Sequence, residues 1–116
     1  MNTYNMKLIP KYFNYIKDGS KKIELRLNDE KRKNIKIGDI IVFEEVTDEP
    51  GYLKTKVIDL YYDDCFSDLI DRFDVEIFAN KTITKEELIS TLNNIYPIEN
   101  QKKYGVVGIR IELLNE

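Results

Sequence analysis

Strand-like stretches in this chain are separated by short turns in its first half and by helices in its second, which excludes a repeating βαβ architecture. In residues 21–27, Ile23, Leu25 and Leu27 alternate with Lys22, Glu24 and Arg26, the period-two pattern of a strand with its apolar side chains facing inward. Residues 40–45, in "IKIGDIIVFEE", form a second strand, and the turn "DEPGY" leads to a third in "LKTKVIDLYY". A helix ahead of these opens at Pro10, carries Ile9, Phe13 and Ile16 at helical spacing with Tyr12 beside them, and stops at Gly19. "FSDLIDRF" fits a short helix, and Thr84 with Glu87 makes a capping box for "TKEELISTLNNIY", where Leu88, Leu92 and Ile95 stripe one face as core residues do. "YGVVGIRIELL" then closes the chain, alternating Val107, Ile109, Ile111 and Leu113 with Gly108, Arg110 and Glu112. The predicted order is helix, three strands, two helices and a last strand. This is an α+β fold: a mixed, mostly antiparallel sheet curled into a small β-barrel with flanking helices.

Residues 1–116 read as a single domain. A chain of this length buries roughly two-thirds of its unfolded surface, enough for a core without metal or disulfide. Cys65 is the sole cysteine, so no internal disulfide forms, which fits a reducing compartment. No apolar run approaches the ~20 residues of a membrane helix, and "MNTYNMKLIP" lacks a signal core. A cytoplasmic protein with no membrane partner is expected; the oligomeric state is not encoded legibly.

The chain contains no histidine. That removes Ser-His and Cys-His catalysis, the usual imidazole base and almost every zinc site. No cofactor or metal is expected; the adjacent Asp63 and Asp64 could attract Mg²⁺ but read more simply as a solvated turn. Any chemistry falls to Lys, Arg, Glu, Asp, Tyr, Thr or Ser.

Charge is unevenly spread. Residues 17–36 hold eight Lys/Arg against four Asp/Glu, net +4, and the remainder holds ten against seventeen, net −7. A cationic block on an acidic body favours a local anion or nucleic-acid contact over general stickiness; a solvated charged loop is the plain alternative.

Within that block lies "GSKKIELR". Glu24 and Arg26 are two apart on a strand and share a face. A carboxylate held near Lys and Arg stays ionised, which suits a polar pocket, a general base or an ion pair on a barrel rim. Strict alternation puts Lys22 on the Glu24 face; Lys21 joins it only if the chain is still turning after Gly19.

The pattern Gly-x-Lys-x-x-Glu-x-Arg, supplied by Gly19, Lys21, Glu24 and Arg26, resembles the ASCH domain (activating signal cointegrator homology), a family related to the PUA RNA-binding fold. The likeness continues through "YFNYIKDG", "IKIGDIIVF", "NNIYP" and "KYGVVGIRIEL", covers nearly the whole chain, and is greatest to small stand-alone prokaryotic members. The resemblance implies a PUA-like barrel with a cleft lined by the motif, and ligand-binding roles for Lys21, Glu24 and Arg26, with Lys22 at the rim. Tyr104, in a Tyr-Gly pair similar to one in small family members, is a further candidate or a partly buried core tyrosine. Members that hydrolyse N4-acetylcytidine carry a threonine nucleophile where this chain has Glu24, which sets it apart from that deacylation; no motif anchors Glu76 to their downstream glutamate.

Three functional readings follow. The first is an RNA- or nucleotide-binding module, with Lys31, Arg32 and Lys33 tracking phosphates and tyrosines offering stacking surfaces. The second is a metal-independent hydrolase of single-stranded RNA or a modified nucleoside, with Glu24 as base and Lys21 stabilising developing negative charge. A protein-interaction module carried by the acidic remainder is a third possibility.

Overall fold

Period-two alternation becomes five strands in the computed structural model, which describes residues 1–115. In chain order these are β1 (Thr3–Leu8), β2 (Ile23–Leu27), β3 (Ile40–Glu45), β4 (Tyr52–Asp63) and β5 (Val106–Leu113). They form one sheet in the order β1-β3-β4-β5-β2, with β1 parallel to β3 and every other pair antiparallel. The helices are α1 (Pro10–Lys17), α2 (Phe66–Ile70), α3 (Lys85–Ile95) and α4 (Ile98–Tyr104), with a 3₁₀ turn at Val75–Phe78.

The mixed, mostly antiparallel sheet and its flanking helices match the architecture expected from the sequence. Two elements go beyond that expectation. β1 precedes α1, and α4 fills the segment before the last strand, so Tyr104 ends a helix instead of opening β5.

β4 is twelve residues long and serves two partners, β3 along its first half and β5 along the rest. A register shift between Val57 and Asp59 lets it bend between them, as bulges do. The sheet thereby curls into a half-barrel whose two edge strands, β1 and β2, come to face each other. Arg26 of β2 donates from Nη2 to the Lys7 carbonyl of β1 at 3.0 Å and spans the opening.

The curl gives the sheet two cores. Inside the curve, Met6, Leu8, Ile41, Phe43, Val57, Val107, Ile109 and Ile111 pack on Phe13 and Ile16 of α1. Outside it, Ile23, Leu25, Leu27 and Val106 pack on Phe66, Leu69 and Ile70 of α2, on Phe78, and on Leu88 and Leu92 of α3. β2 is therefore covered on its apolar face by helices and turns its charged face to the seam.

Thr84 caps α3, its hydroxyl accepting from the Glu87 N–H at 3.2 Å. Gly108 stands where β5 passes beneath α2: a Cβ there would lie 3.0 Å from Leu69 Cδ2 and 3.2 Å from Ile23 Cγ2. Gly108→Val is expected to cost about 1–3 kcal/mol through overpacking. Urea denaturation measures it, and an unchanged midpoint would show that this contact does not limit the packing.

Candidate functional site

Gly19 has φ 87, a backbone conformation that favours glycine, and it turns the chain between α1 and β2. The turn still holds at Lys21, whose N–H donates to the Tyr15 carbonyl at 2.9 Å, two residues before β2 begins. Lys21 consequently points to the same side as Glu24 and Arg26, whereas Lys22 is exposed on another face beside Arg110 and Glu112. Of the two candidate lysines, Lys21 meets Glu24.

Lys21 and Glu24 are each only 5% exposed. Lys21 Nζ lies 3.1 Å from Glu24 Oε1 and donates to the carbonyls of Ile23 at 3.0 Å and Phe78 at 2.8 Å. An ammonium has three N–H groups, so all are used within the protein. On the other side of the carboxylate, Arg26 Nε donates to Glu24 Oε2 at 2.8 Å, and Nη2 lies 2.7 Å from the same oxygen while also reaching Lys7. Arg26 Nη1 has no partner among the described residues and is not a buried orphan, so its two N–H groups remain available.

The electrostatics follow from burial. Burial alone raises the Glu24 carboxyl, but Arg26 and Lys21 overcome it and hold Glu24 below the usual glutamate range. Burial draws the Lys21 ammonium below the usual lysine range, and the Glu24 carboxylate opposes that fall without cancelling it. Two cations around one carboxylate leave this cluster with a residual positive charge.

The cluster floors a cleft of about 300 Å³. One wall is Lys7 and Leu8 of β1 with Ile9 and Tyr12; the other is Leu88, Thr91, Leu92 and Ile95 of α3, followed by Tyr96. Leu88 and Leu92 are thus a cleft wall as well as core contacts, whereas Ile95, expected in the core with them, is 60% exposed at the mouth. The Tyr12 ring centroid is 5.6 Å from Lys21 Nζ, and the Tyr96 ring packs on Phe66 at 5.5 Å between centroids. Burial pushes the Tyr96 hydroxyl above its usual range, with Arg26 opposing and Glu24 reinforcing, so it stays protonated at neutral pH.

Arg32 is ion-paired to Asp29 at 3.1 Å, and both act electrostatically on Tyr96 at the flank of the cleft. Tyr104 does not line the cleft; it is exposed at the end of α4 with Lys103 Nζ 5.1 Å from its ring centroid. Glu76 is exposed in the 3₁₀ turn, also away from the cleft lining. Among the described residues no cluster of carboxylates or cysteine suits a metal ion, and no helix is long and apolar enough to cross a membrane. Sequence reasoning did not single out Lys7, Tyr12 and Tyr96 as cleft residues: β1 went unrecognised, and the tyrosines carry no local signal beyond an apolar pattern.

The carboxylate has a measurable signature. Its pKa is lowered on folding, so the unfolded chain binds its proton more readily. Its stabilising contribution is complete above about pH 4.5 and is lost as pH falls through the depressed folded value. Glu24→Gln strands two buried cations and is expected to cost about 3 kcal/mol at pH 7. Its stability, followed by denaturation between pH 2 and 7, should fall less steeply with acid than that of the unaltered protein. Parallel curves would remove Glu24 from the acid transition.

The ASCH domain profile matches residues 6–115. Hypothetical protein PH0355, known from a crystal structure, is 38% identical, with a TM-score of 0.85 over 97% of this chain and 99% of that one. Protein PF0455 from Pyrococcus furiosus, known from a solution NMR structure, is 35% identical, with a TM-score of 0.77 over the full length of both. No curated protein matches the chain.

Proposed function

The chain belongs to the ASCH domain family, and on that premise we propose that it is a binding module which receives a nucleobase of RNA or of a nucleotide in the cleft floored by Lys21, Glu24 and Arg26. One observation carries this reading: the floor keeps a single guanidinium edge free beneath apolar and aromatic walls. A flat heteroaromatic ring needs such a site, with π faces against Tyr12, Tyr96 and aliphatic side chains and a polar edge on Arg26. A phosphate is a poorer occupant, because the walls offer little to replace its hydration.

The same valences speak against hydrolysis by Glu24 and Lys21. A general base works best with a pKa near the operating pH, and Glu24 is displaced the other way, with both oxygens engaged by cations. Lys21 spends every N–H on the protein and has none for an oxyanion. These two residues serve as a frame, and Arg26 serves as the contact. Lys31, Arg32 and Lys33 follow the motif strand in sequence and would supply cations for a strand's phosphates, although Arg32 and Lys33 are paired to Asp29 and Glu30 in the free protein.

End-labelled single-stranded RNA run on native and denaturing gels tests this. The expected result is a native shift that weakens with salt and leaves the RNA intact. Tyr12→Ala, which removes a stacking surface, should weaken binding about tenfold or more. RNA shortened by the protein would favour the hydrolase, and unshifted RNA would count against RNA as the ligand.

A further inference from the structure

We infer that Gln101, which lies outside the cleft, is a positioning residue for it: the buried side-chain amide holds the Tyr96 ring where a nucleobase stacks. This role rests on the nucleobase reading above, in which Tyr96 supplies one of the aromatic faces.

Pro97 pushes the residue before it toward extended backbone, and α3 ends there, Tyr96 having φ −123 and ψ 96. The Tyr96 N–H still closes the last turn on the Leu92 carbonyl at 2.7 Å. Its own carbonyl falls past the helix end, where no helical partner exists. Gln101 Nε2 donates to that carbonyl at 2.9 Å and to Asn93 Oδ1, in the last turn of α3, also at 2.9 Å. Gln101 Oε1 accepts from the Phe66 N–H at 3.0 Å, at the start of α2, where Cys65 gives no side-chain cap. The Tyr96 ring lies against that same Phe66, with centroids 5.5 Å apart. One amide thus ties down the backbone that carries the cleft tyrosine and the backbone that carries the ring behind it.

Gln101 is 1% exposed and does not line the cleft, so it acts only through these partners. The orientation of its amide is unambiguous, because the Phe66 N–H only donates and the Tyr96 carbonyl only accepts. Two donors and an acceptor on one planar group occur only in Gln and Asn, and Asn is a methylene shorter. A buried network whose groups are all matched is rigid, whereas a half-matched one is costly.

The test is a double-mutant cycle read by titrating guanosine into isotope-labelled protein and following the cleft resonances by NMR. Gln101→Met, similar in volume but without the hydrogen bonds, is expected to weaken guanosine binding about tenfold, as is Tyr96→Leu, which removes the ring. In the Tyr96→Leu background the Gln101 change should cost no further affinity, because the ring it places is gone. A merely structural glutamine would change affinity by the same factor in both backgrounds, or in neither, and either result overturns the role. In the free protein, Gln101→Met should shift the Tyr96 ring signals while those of Tyr12, on the opposite wall, stay in place; unmoved Tyr96 signals also overturn it. Gln101→Asn, too short to reach all three partners, takes the place of Gln101→Met if that variant does not fold. An additive cycle with binding intact removes only the positioning role. If guanosine does not bind the unaltered protein, the nucleobase reading falls and takes this role with it.

Discussion

Glu24 is a carboxylate almost without contact with water, and the structure around it is arranged to keep it charged. An isolated ion at such a depth would be neutralised by protonation. Here two cations and their hydrogen bonds hold it ionised, and those partners tie together parts of the chain that are distant in sequence. Lys21 joins β2 to the 3₁₀ turn through the Phe78 carbonyl. Arg26 joins β2 to β1 through the Lys7 carbonyl and so clasps the open seam of the half-barrel. Buried ion clusters are a weak source of net stability, yet removing one member leaves the others uncompensated. What such a cluster supplies here is placement, since it fixes where β1, part of one wall of the cleft, stands relative to β2, which carries its floor.

That arrangement separates framework from contact within one motif. Lys21 and Glu24 are saturated by the protein, and Arg26 is saturated on one side only. Three charges that look alike in the sequence therefore differ in what they offer a ligand. A catalytic site usually keeps a displaced base or an unspent donor near the reacting atom. A recognition site needs one fixed edge and a shaped apolar slot, and on the function proposed above Arg26 and the walls from α1 and α3 would serve as these.

Much of the sheet was legible because its strands alternate cleanly: Ile23, Leu25 and Leu27 in β2, and Val107, Ile109 and Ile111 in β5, all end up buried. β1 was harder to read. Its inward Met6 and Leu8 alternate with Asn5 and Lys7, but its parallel partner β3 lies more than thirty residues away, a pairing that local pattern does not reveal. α4 was hidden for a different reason. Its buried residue is Gln101, whose amide accepts from the Phe66 N–H and donates to Asn93 and Tyr96, so a tertiary polar network stands where an apolar stripe would have signalled a helix. The motif itself was visible, yet alternation would have put Lys22 beside Glu24. The positive φ of Gly19 and the bond from the Lys21 N–H to Tyr15 bring Lys21 there instead. The cleft walls were unreadable as such, because Leu88 and Leu92 serve a core and a cleft at once.

The division of labour between Lys21 and Arg26 is open to direct observation by ¹⁵N NMR of side-chain nitrogens at neutral pH. A buried ammonium held by three acceptors should give a visible, slowly exchanging Lys21 Nζ signal. It should remain unmoved when guanosine is added, while the Arg26 guanidinium signals shift. A Lys21 ammonium that exchanges as fast as the surface lysines, or that responds to the nucleoside while Arg26 does not, would contradict the assignment of framework and contact made here.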